Sequence, residues 1–140
     1  MKLSTYLNFG GNLEEAFRFY EKHLGGKIGA MMTQEQAPGG ENVAPEWKKA
    51  ILYAEITIGE TVLMASDVPP ERFKPMRSAY LCLGVDSVEE AERLYALLAG
   101  EGEVFMPMQE TFFAFRYAQL RDRFGTMWMI VYARPMPNNA

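Results

Sequence analysis

The sequence contains two similar segments whose first residues lie 75 positions apart, Asn12–Tyr20 and Ser87–Tyr95. Five of their nine paired positions carry identical residues. Both segments have apolar residues at helical spacing and begin with a residue that favours a helix N-cap. A glycine, Gly25 or Gly100, follows each segment five positions later and is expected to end the helix in a left-handed conformation. We therefore predict two amphipathic helices in a duplicated module.

Strand patterns flank both helices in the same order, because one short strand precedes each helix and three strands follow it. Each half is thus a βαβββ module, and the fold class is α+β. We expect one domain made of two repeats, about residues 3–67 and 78–134, joined by a proline-rich connector. The predicted strands are Thr5–Phe9, Lys27–Thr33, Ile51–Ile58 and Thr61–Ser66 in the first repeat, then Ala79–Val85, Glu103–Gln109, Phe115–Leu120 and Met127–Ala133 in the second.

A long irregular loop, residues 34–49, interrupts the first repeat and contains two prolines and two adjacent glycines. Loops of more than about 12–15 residues are often lids or binding loops. The sequence leaves open whether this loop is a lid or a surface insertion.

The composition excludes several classes of protein. The 140 residues include one histidine, His23, and one cysteine, Cys82, so neither a multi-histidine zinc site nor an intrachain disulfide can form. The net charge of −4 and the lack of a basic run argue against nucleic acid as a partner. No apolar stretch approaches the ~20 residues of a membrane span, so we expect a cytoplasmic protein without a membrane partner. Cys82 lies between two leucines and is expected to be buried.

Five motifs resemble those of the PhnB-like branch of the vicinal oxygen chelate superfamily, which includes glyoxalase I, bleomycin-resistance proteins and extradiol dioxygenases. Their order and spacing match as well, across roughly residues 3–134. Within the last motif, Asp122 is expected to form a turn by bonding the nearby backbone. The motifs are Thr5–Tyr20, His23–Gly26, Leu63–Asp67, Gln109–Arg116 and Asp122–Trp128.

The resemblance implies that eight strands form an open cup with the helices outside and the chemistry inside. Alternation along the third strand then predicts that Leu52 and Ala54 face a helix, whereas Tyr53 and Glu55 point into the cup. By the same alternation, Trp128 and Ile130 pack outward in the last strand.

The superfamily's metal positions align with Thr5, Tyr80, Met129 and a residue near Met64. Hydroxyl and thioether groups are poor ligands for the divalent cations that carboxylate and imidazole groups bind. We therefore expect no metal site and no cofactor.

Three functions remain open. In the first, a homodimer binds a small apolar or aromatic molecule in a metal-free cup. In the second, the protein is a lyase, isomerase or dioxygenase-like enzyme that uses Glu55 as a base, with Tyr80 and Arg116 as electrophilic partners. In the third, it is a structural or regulatory dimer whose own side chains fill the cup. The ligand-binding residues of the first hypothesis are Thr5, Tyr53, Met64, Phe113 and Met129.

Arg116 also has a structural interpretation. Its guanidinium group could recognise an anionic substrate. Alternatively it could pair with Glu55, Glu110 or Asp122, and the sequence does not separate these possibilities.

Overall fold

The computed structural model describes residues 1–135 and comprises two compact units, Met1–Pro75 and a second that begins at Met76. Each unit contains one α-helix and one four-stranded sheet, and the elements follow the order βαβββ in both. The predicted α+β fold with two βαβββ modules is confirmed.

The first unit has the strand order β1-β4-β3-β2. Strand β1 runs parallel to β4, and the other neighbouring strands are antiparallel. The loop between β2 and β3 contains two short 3-10 helices, Gly40–Asn42 and Pro45–Trp47. The elements are β1 Thr5–Phe9, α1 Leu13–His23, β2 Lys27–Thr33, β3 Ile51–Ile58 and β4 Thr61–Asp67.

The second unit repeats this topology with the strand order β5-β8-β7-β6, and β5 is parallel to β8. Strand β5 is shorter than the predicted 79–85, because only its four central residues pair with β8. The elements are β5 Leu81–Gly84, α2 Val88–Ala99, β6 Glu103–Gln109, β7 Ala114–Arg121 and β8 Met127–Ala133.

Each helix packs its apolar side on one face of its own sheet. Leu13 and Phe17 of α1 are completely buried, as are Ala54, Ile56 and Ala65 of the sheet below them. In the second unit, Trp128 and Ile130 are buried on the side of α2, as predicted. Because burial of one large apolar side chain contributes about 1.5–3 kcal/mol, these two layers account for much of the stability of each unit.

The start of α1 is capped differently from the prediction. Asn12 makes no side-chain cap hydrogen bond. Instead Asp67, at the end of β4, accepts hydrogen bonds from the backbone N–H groups of Gly11 at 2.9 Å and Leu13 at 3.1 Å. Ser87 behaves as expected in α2, since its hydroxyl accepts a hydrogen bond from the backbone N–H of Glu90.

The helix ends also differ from each other. Gly25 has φ = 67° after α1, so the predicted left-handed residue is confirmed there. After α2, however, Gly100 has φ = −59°, and Glu101 adopts the positive φ of 60°. The left-handed residue of the second repeat is therefore one position later than predicted.

Strand β3 departs from strict alternation at Leu52. Ile51 pairs with Thr33 and Tyr53 pairs with Met32, so Leu52 is an extra residue on β3. Such a bulge reverses the side on which the residues before it point. Ile51 is consequently buried and Leu52 exposed, and the prediction that Leu52 faces the helix is wrong.

Asp122 is buried at the turn between β7 and β8. One carboxylate oxygen accepts hydrogen bonds from the backbone N–H groups of Phe124 and Thr126, and the other accepts one from the Trp128 indole. The predicted turn-forming role of Asp122 is confirmed. Within residues 1–135, none of the helices has the length and apolar character needed to cross a membrane.

Candidate functional site

The candidate site lies on the face of the first sheet that α1 does not cover, which we call the open face. Pairing of β4 with its two neighbours places Tyr6 and Glu55 on either side of Met64. Because partners in a sheet point to the same side, these three side chains share the open face. Tyr6 is 52% exposed, and Glu55 and Met64 are half-buried.

A chain of hydrogen bonds fixes one end of the open face. The Ser66 hydroxyl donates to the backbone carbonyl of Leu52 at 2.7 Å. The Tyr6 hydroxyl is hydrogen-bonded to the Ser66 oxygen. Because a serine has a single hydroxyl hydrogen, which goes to Leu52, Tyr6 must be the donor in this bond.

Tyr53 lies beside both Tyr6 and Glu55. The Tyr6 and Tyr53 ring centroids are 6.3 Å apart, and the ring planes are inclined by 40°. Partial burial raises the pKa of Tyr53 above 10.0, and the neighbouring Glu55 carboxylate raises it further. The phenol of Tyr53 therefore loses its proton at a higher pH than an ordinary tyrosine does.

A pocket of about 410 Å³ opens beside this cluster. Its wall includes backbone or side-chain atoms of both apolar and charged residues, among them Lys2, Leu3, Glu55, Glu60, Val62 and Met64. The pocket thus combines apolar contact area with charged groups that can orient a ligand.

The structure places Thr5 differently from the prediction. Thr5 pairs with Leu63, which faces α1, and not with Met64. It contributes to the pocket wall, but Tyr6 takes the position beside Met64. Alternation along β1 could have revealed this. Leu7 and Phe9 are the buried residues of the strand, and Thr5, two positions before Leu7, points to the same side.

The donor set of the open face does not fit a divalent metal ion. It offers the Glu55 carboxylate, the phenols of Tyr6 and Tyr53 and the thioether of Met64, and the pocket wall beside it adds one further carboxylate, from Glu60. Neutral phenols and thioethers do not replace the imidazole and carboxylate ligands that such ions prefer. Within residues 1–135, no group of three or more His, Cys, Asp or Glu side chains is placed to hold a metal ion.

The second sheet carries a different cluster on the face away from α2. The Tyr80 hydroxyl donates to the Gln119 side-chain oxygen at 3.2 Å, and the Gln119 amide donates to the Tyr117 hydroxyl at 2.8 Å. Phe113 packs edge-on against Tyr117 with centroids 5.0 Å apart. Met129 pairs with Gln119, so it lies on the same face. Sequence reasoning identified Tyr80, Phe113, Tyr117 and Met129 but missed Gln119, which joins the two tyrosines.

Arg116 belongs to neither cluster. Its guanidinium group pairs with Glu92 of α2 at 3.1 Å, not with Glu55, Glu110 or Asp122. In the sheet, Arg116 lies opposite Tyr132 of β8. Two positions further along β7, Ala118 lies opposite Ile130, and both of these residues are buried on the helix side. It therefore lies on the helix side of the sheet, and the structure does not bring it to Tyr80.

Cys82 is exposed, so the prediction of a buried thiol is wrong. It pairs with Met129 and lies on the face of the second sheet away from α2. Partial desolvation raises the pKa of this thiol, which keeps it in the less reactive protonated form at neutral pH.

Comparison with known proteins agrees with this architecture. Protein YjdN from Escherichia coli (strain K12) is 31% identical over 148 aligned positions, covering 98% of this chain and 99% of YjdN. The crystal structure of PA1353 from Pseudomonas aeruginosa has 38% identity and a TM-score of 0.84, covering 94% of this chain and 97% of PA1353.

A PhnB protein from Bacillus cereus shares the fold at 24% identity, with a TM-score of 0.80 and coverage of 95% of this chain and 100% of the other. The family model described as Glyoxalase/Bleomycin resistance protein/Dioxygenase superfamily matches residues 2–130. With this match over nearly the whole chain, the protein belongs to the glyoxalase/bleomycin resistance protein/dioxygenase superfamily.

Proposed function

We propose that the protein binds a small apolar or aromatic molecule on the open face of the first sheet, without a metal ion. The observation that carries this proposal is the pocket of about 410 Å³ whose wall includes Glu55 and Met64 of the open face. Pockets that enclose drug-sized ligands are about 300–1,000 Å³ and combine apolar walls with a few polar groups.

Contacts to apolar atoms supply the binding free energy in this proposal. Leu3, Val62 and Met64 contribute to the pocket wall, and Leu3 and Val62 are strongly exposed in the free protein. Each Å² of apolar surface that a ligand removes from water contributes about 25 cal/mol. A thioether adapts to irregular shapes, so Met64 suits a pocket floor that accepts more than one ligand.

The metal-free part of the proposal is supported by the donor chemistry of the open face. A ligand there would be oriented by the Glu55 carboxylate and by the aromatic rings. We further propose that the protein acts as a cytoplasmic homodimer, which sedimentation and localisation of the tagged protein would test.

A thermal-shift screen tests the binding proposal. We expect small aromatic compounds to raise the Tm of the protein. The rise should be equal in the presence and absence of a metal chelator, because binding needs no metal ion. A ligand at about 100-fold its Kd stabilises the folded state by about 2.7 kcal/mol, which for this size is a rise in Tm of about 5–10 °C.

A pair of matched variants locates the site. Met64→Trp fills the pocket and should abolish the shift, whereas Met129→Trp changes a half-buried methionine of the second sheet and should preserve it. If no compound raises the Tm, or if the two variants respond alike, the proposal is wrong.

A further inference from the structure

Two hydroxyl hydrogens of the open face are committed to neighbours within the protein. The Ser66 hydrogen goes to the Leu52 carbonyl, and the Tyr6 hydrogen therefore goes to Ser66. Neither of these two hydroxyl groups retains a hydrogen to donate to a ligand.

The same groups still offer acceptors. The Tyr6 oxygen keeps a lone pair, and the Glu55 carboxylate has several acceptor positions. The thioether sulfur of Met64, between Tyr6 and Glu55, is also an acceptor. A ligand that brings donors and positive charge matches this surface, whereas an anion would meet lone pairs and a carboxylate.

The two tyrosine rings add a second attraction for a cation. Their planes are inclined by 40° with centroids 6.3 Å apart. The face of an aromatic ring carries negative potential and attracts ammonium groups within about 6 Å of its centroid. An ammonium group near the Glu55 carboxylate can gain this attraction from a neighbouring ring.

The charges at the pocket also favour a cationic ligand. The charged residues that contribute to its wall are Lys2, Glu55 and Glu60, so the formal charge there is one positive against two negative, or −1. Lys2 lies near the chain start and is exposed, which leaves its ammonium group in water. The serine and threonine hydroxyls of the wall can serve other polar groups of a ligand.

We propose that the ligand class of this site is an organic cation, an apolar or aromatic molecule with a protonated amine or a quaternary ammonium group. The ammonium group lies between the Tyr6 and Tyr53 rings and the Glu55 carboxylate, and the apolar part enters the pocket at Met64. This inference rests on the proposed function and names the chemistry that the site recognises.

Three probes that share a benzene ring test the inference by calorimetric titration at neutral pH. They are benzylammonium, benzyl alcohol and benzoate, which differ in the charge of the group next to the ring. We expect benzylammonium to bind about tenfold more tightly than benzyl alcohol, and benzoate to bind most weakly. This comparison uses the wild-type protein, so it does not depend on the folding of any variant.

Variants then assign the preference to residues. Glu55→Gln should remove most of the tenfold preference and leave the affinity for benzyl alcohol unchanged. Glu92→Gln is the matched control, because it removes the same charge from α2, and it should preserve the preference. Tyr6→Leu and Tyr53→Leu should each weaken benzylammonium binding more than benzyl alcohol binding.

The outcomes distinguish the two proposals. If benzyl alcohol or benzoate binds as tightly as benzylammonium, the cation inference is wrong and the proposed small-molecule site stands. If none of the probes binds and the thermal-shift screen finds no ligand, both are wrong.

Discussion

The carboxylate of Asp67 accepts a hydrogen bond from the backbone N–H of Leu13, although 54 positions separate the two residues in the chain. The same carboxylate accepts hydrogen bonds from Gly11 and, through its other oxygen, from Ile51 at 2.9 Å. Asp67 is 5% exposed, and its bonds to Leu13 and Ile51 are buried, so these two amide groups have little access to water as a replacement partner. One side chain thus joins the ends of β4, α1 and β3.

Replacement of Asp67 by alanine should strongly destabilise the protein. The variant leaves three backbone N–H groups without their acceptor. Those of Leu13 and Ile51 are buried, and each unsatisfied buried group costs about 1–3 kcal/mol. We expect the free energy of unfolding, measured by urea denaturation, to fall by about 2 kcal/mol or more. Ser87→Ala is the comparison, because it removes a single cap bond and should cost about 1 kcal/mol. Equal losses in the two variants would contradict this account.

Gly40 should not tolerate a side chain. A Cβ atom at this position would lie 2.2 Å from the backbone oxygen of Glu35, so the loop must move to admit it. We expect Gly40→Ala to lower the free energy of unfolding by about 1–3 kcal/mol. Gly84→Ala is the control, since no atom lies within 4 Å of its added Cβ, and it should change stability by less than about 0.5 kcal/mol. Thermal denaturation of both variants checks the difference.

The ion pair of Arg116 and Glu92 should be weak and unrelated to ligand binding. Both side chains are partly exposed, at 30% and 50%, and such pairs contribute about 0.2–1 kcal/mol. A double-mutant cycle with Arg116→Gln and Glu92→Gln should give a coupling energy in this range. Ligand affinity should be the same in Arg116→Gln and wild type, because Arg116 lies on the helix side of its sheet. A loss of affinity would return Arg116 to the binding site.

The titration of Tyr53 should report its contact with Glu55. The folded state raises the pKa of this phenol above 10.0, so between 10.0 and the folded pKa the native protein binds more protons than the unfolded chain. The contribution of Tyr53 to stability is therefore complete below pH 10.0 and decreases as the pH rises through this window.

Phenolate absorbance gives the measurement. The difference between wild type and Tyr53→Phe isolates the late-titrating group among the seven tyrosines. In Glu55→Gln, Tyr53 should deprotonate at a lower pH, because the carboxylate charge is gone, although burial still raises its pKa. An unchanged titration in Glu55→Gln would exclude the contact.

Periodicity alone predicted most of the fold. The bounds of β1, β2, β3, β6 and β8 agree with the sequence patterns, because alternation and turn residues are local signals. The cap of α1 could not be predicted in this way. Asp67 reaches the helix start only after β1 and β4 pair, and no local pattern shows that Asn12 does not act as the cap.

The site was predicted in part for a similar reason. Tyr53, Glu55 and Met64 share a face that alternation and hairpin pairing specify. Tyr6 was missed because the first strand was placed one residue out of phase. For Arg116 the sequence left an anion-binding and an ion-pairing role open, and it does not reveal that Glu92 of α2 lies close enough to pair with it.

The extra residue at Leu52 has a consequence for how this strand can change its length. Ile51 points to the helix side before the bulge, and Tyr53 points to the open face after it. Without Leu52, Ile51 and Tyr53 would be adjacent residues that point to opposite faces, as in a regular strand. The first sheet can therefore lose one residue at this point and keep both its core and its open face, whereas a deletion on either side of the bulge would exchange the two faces.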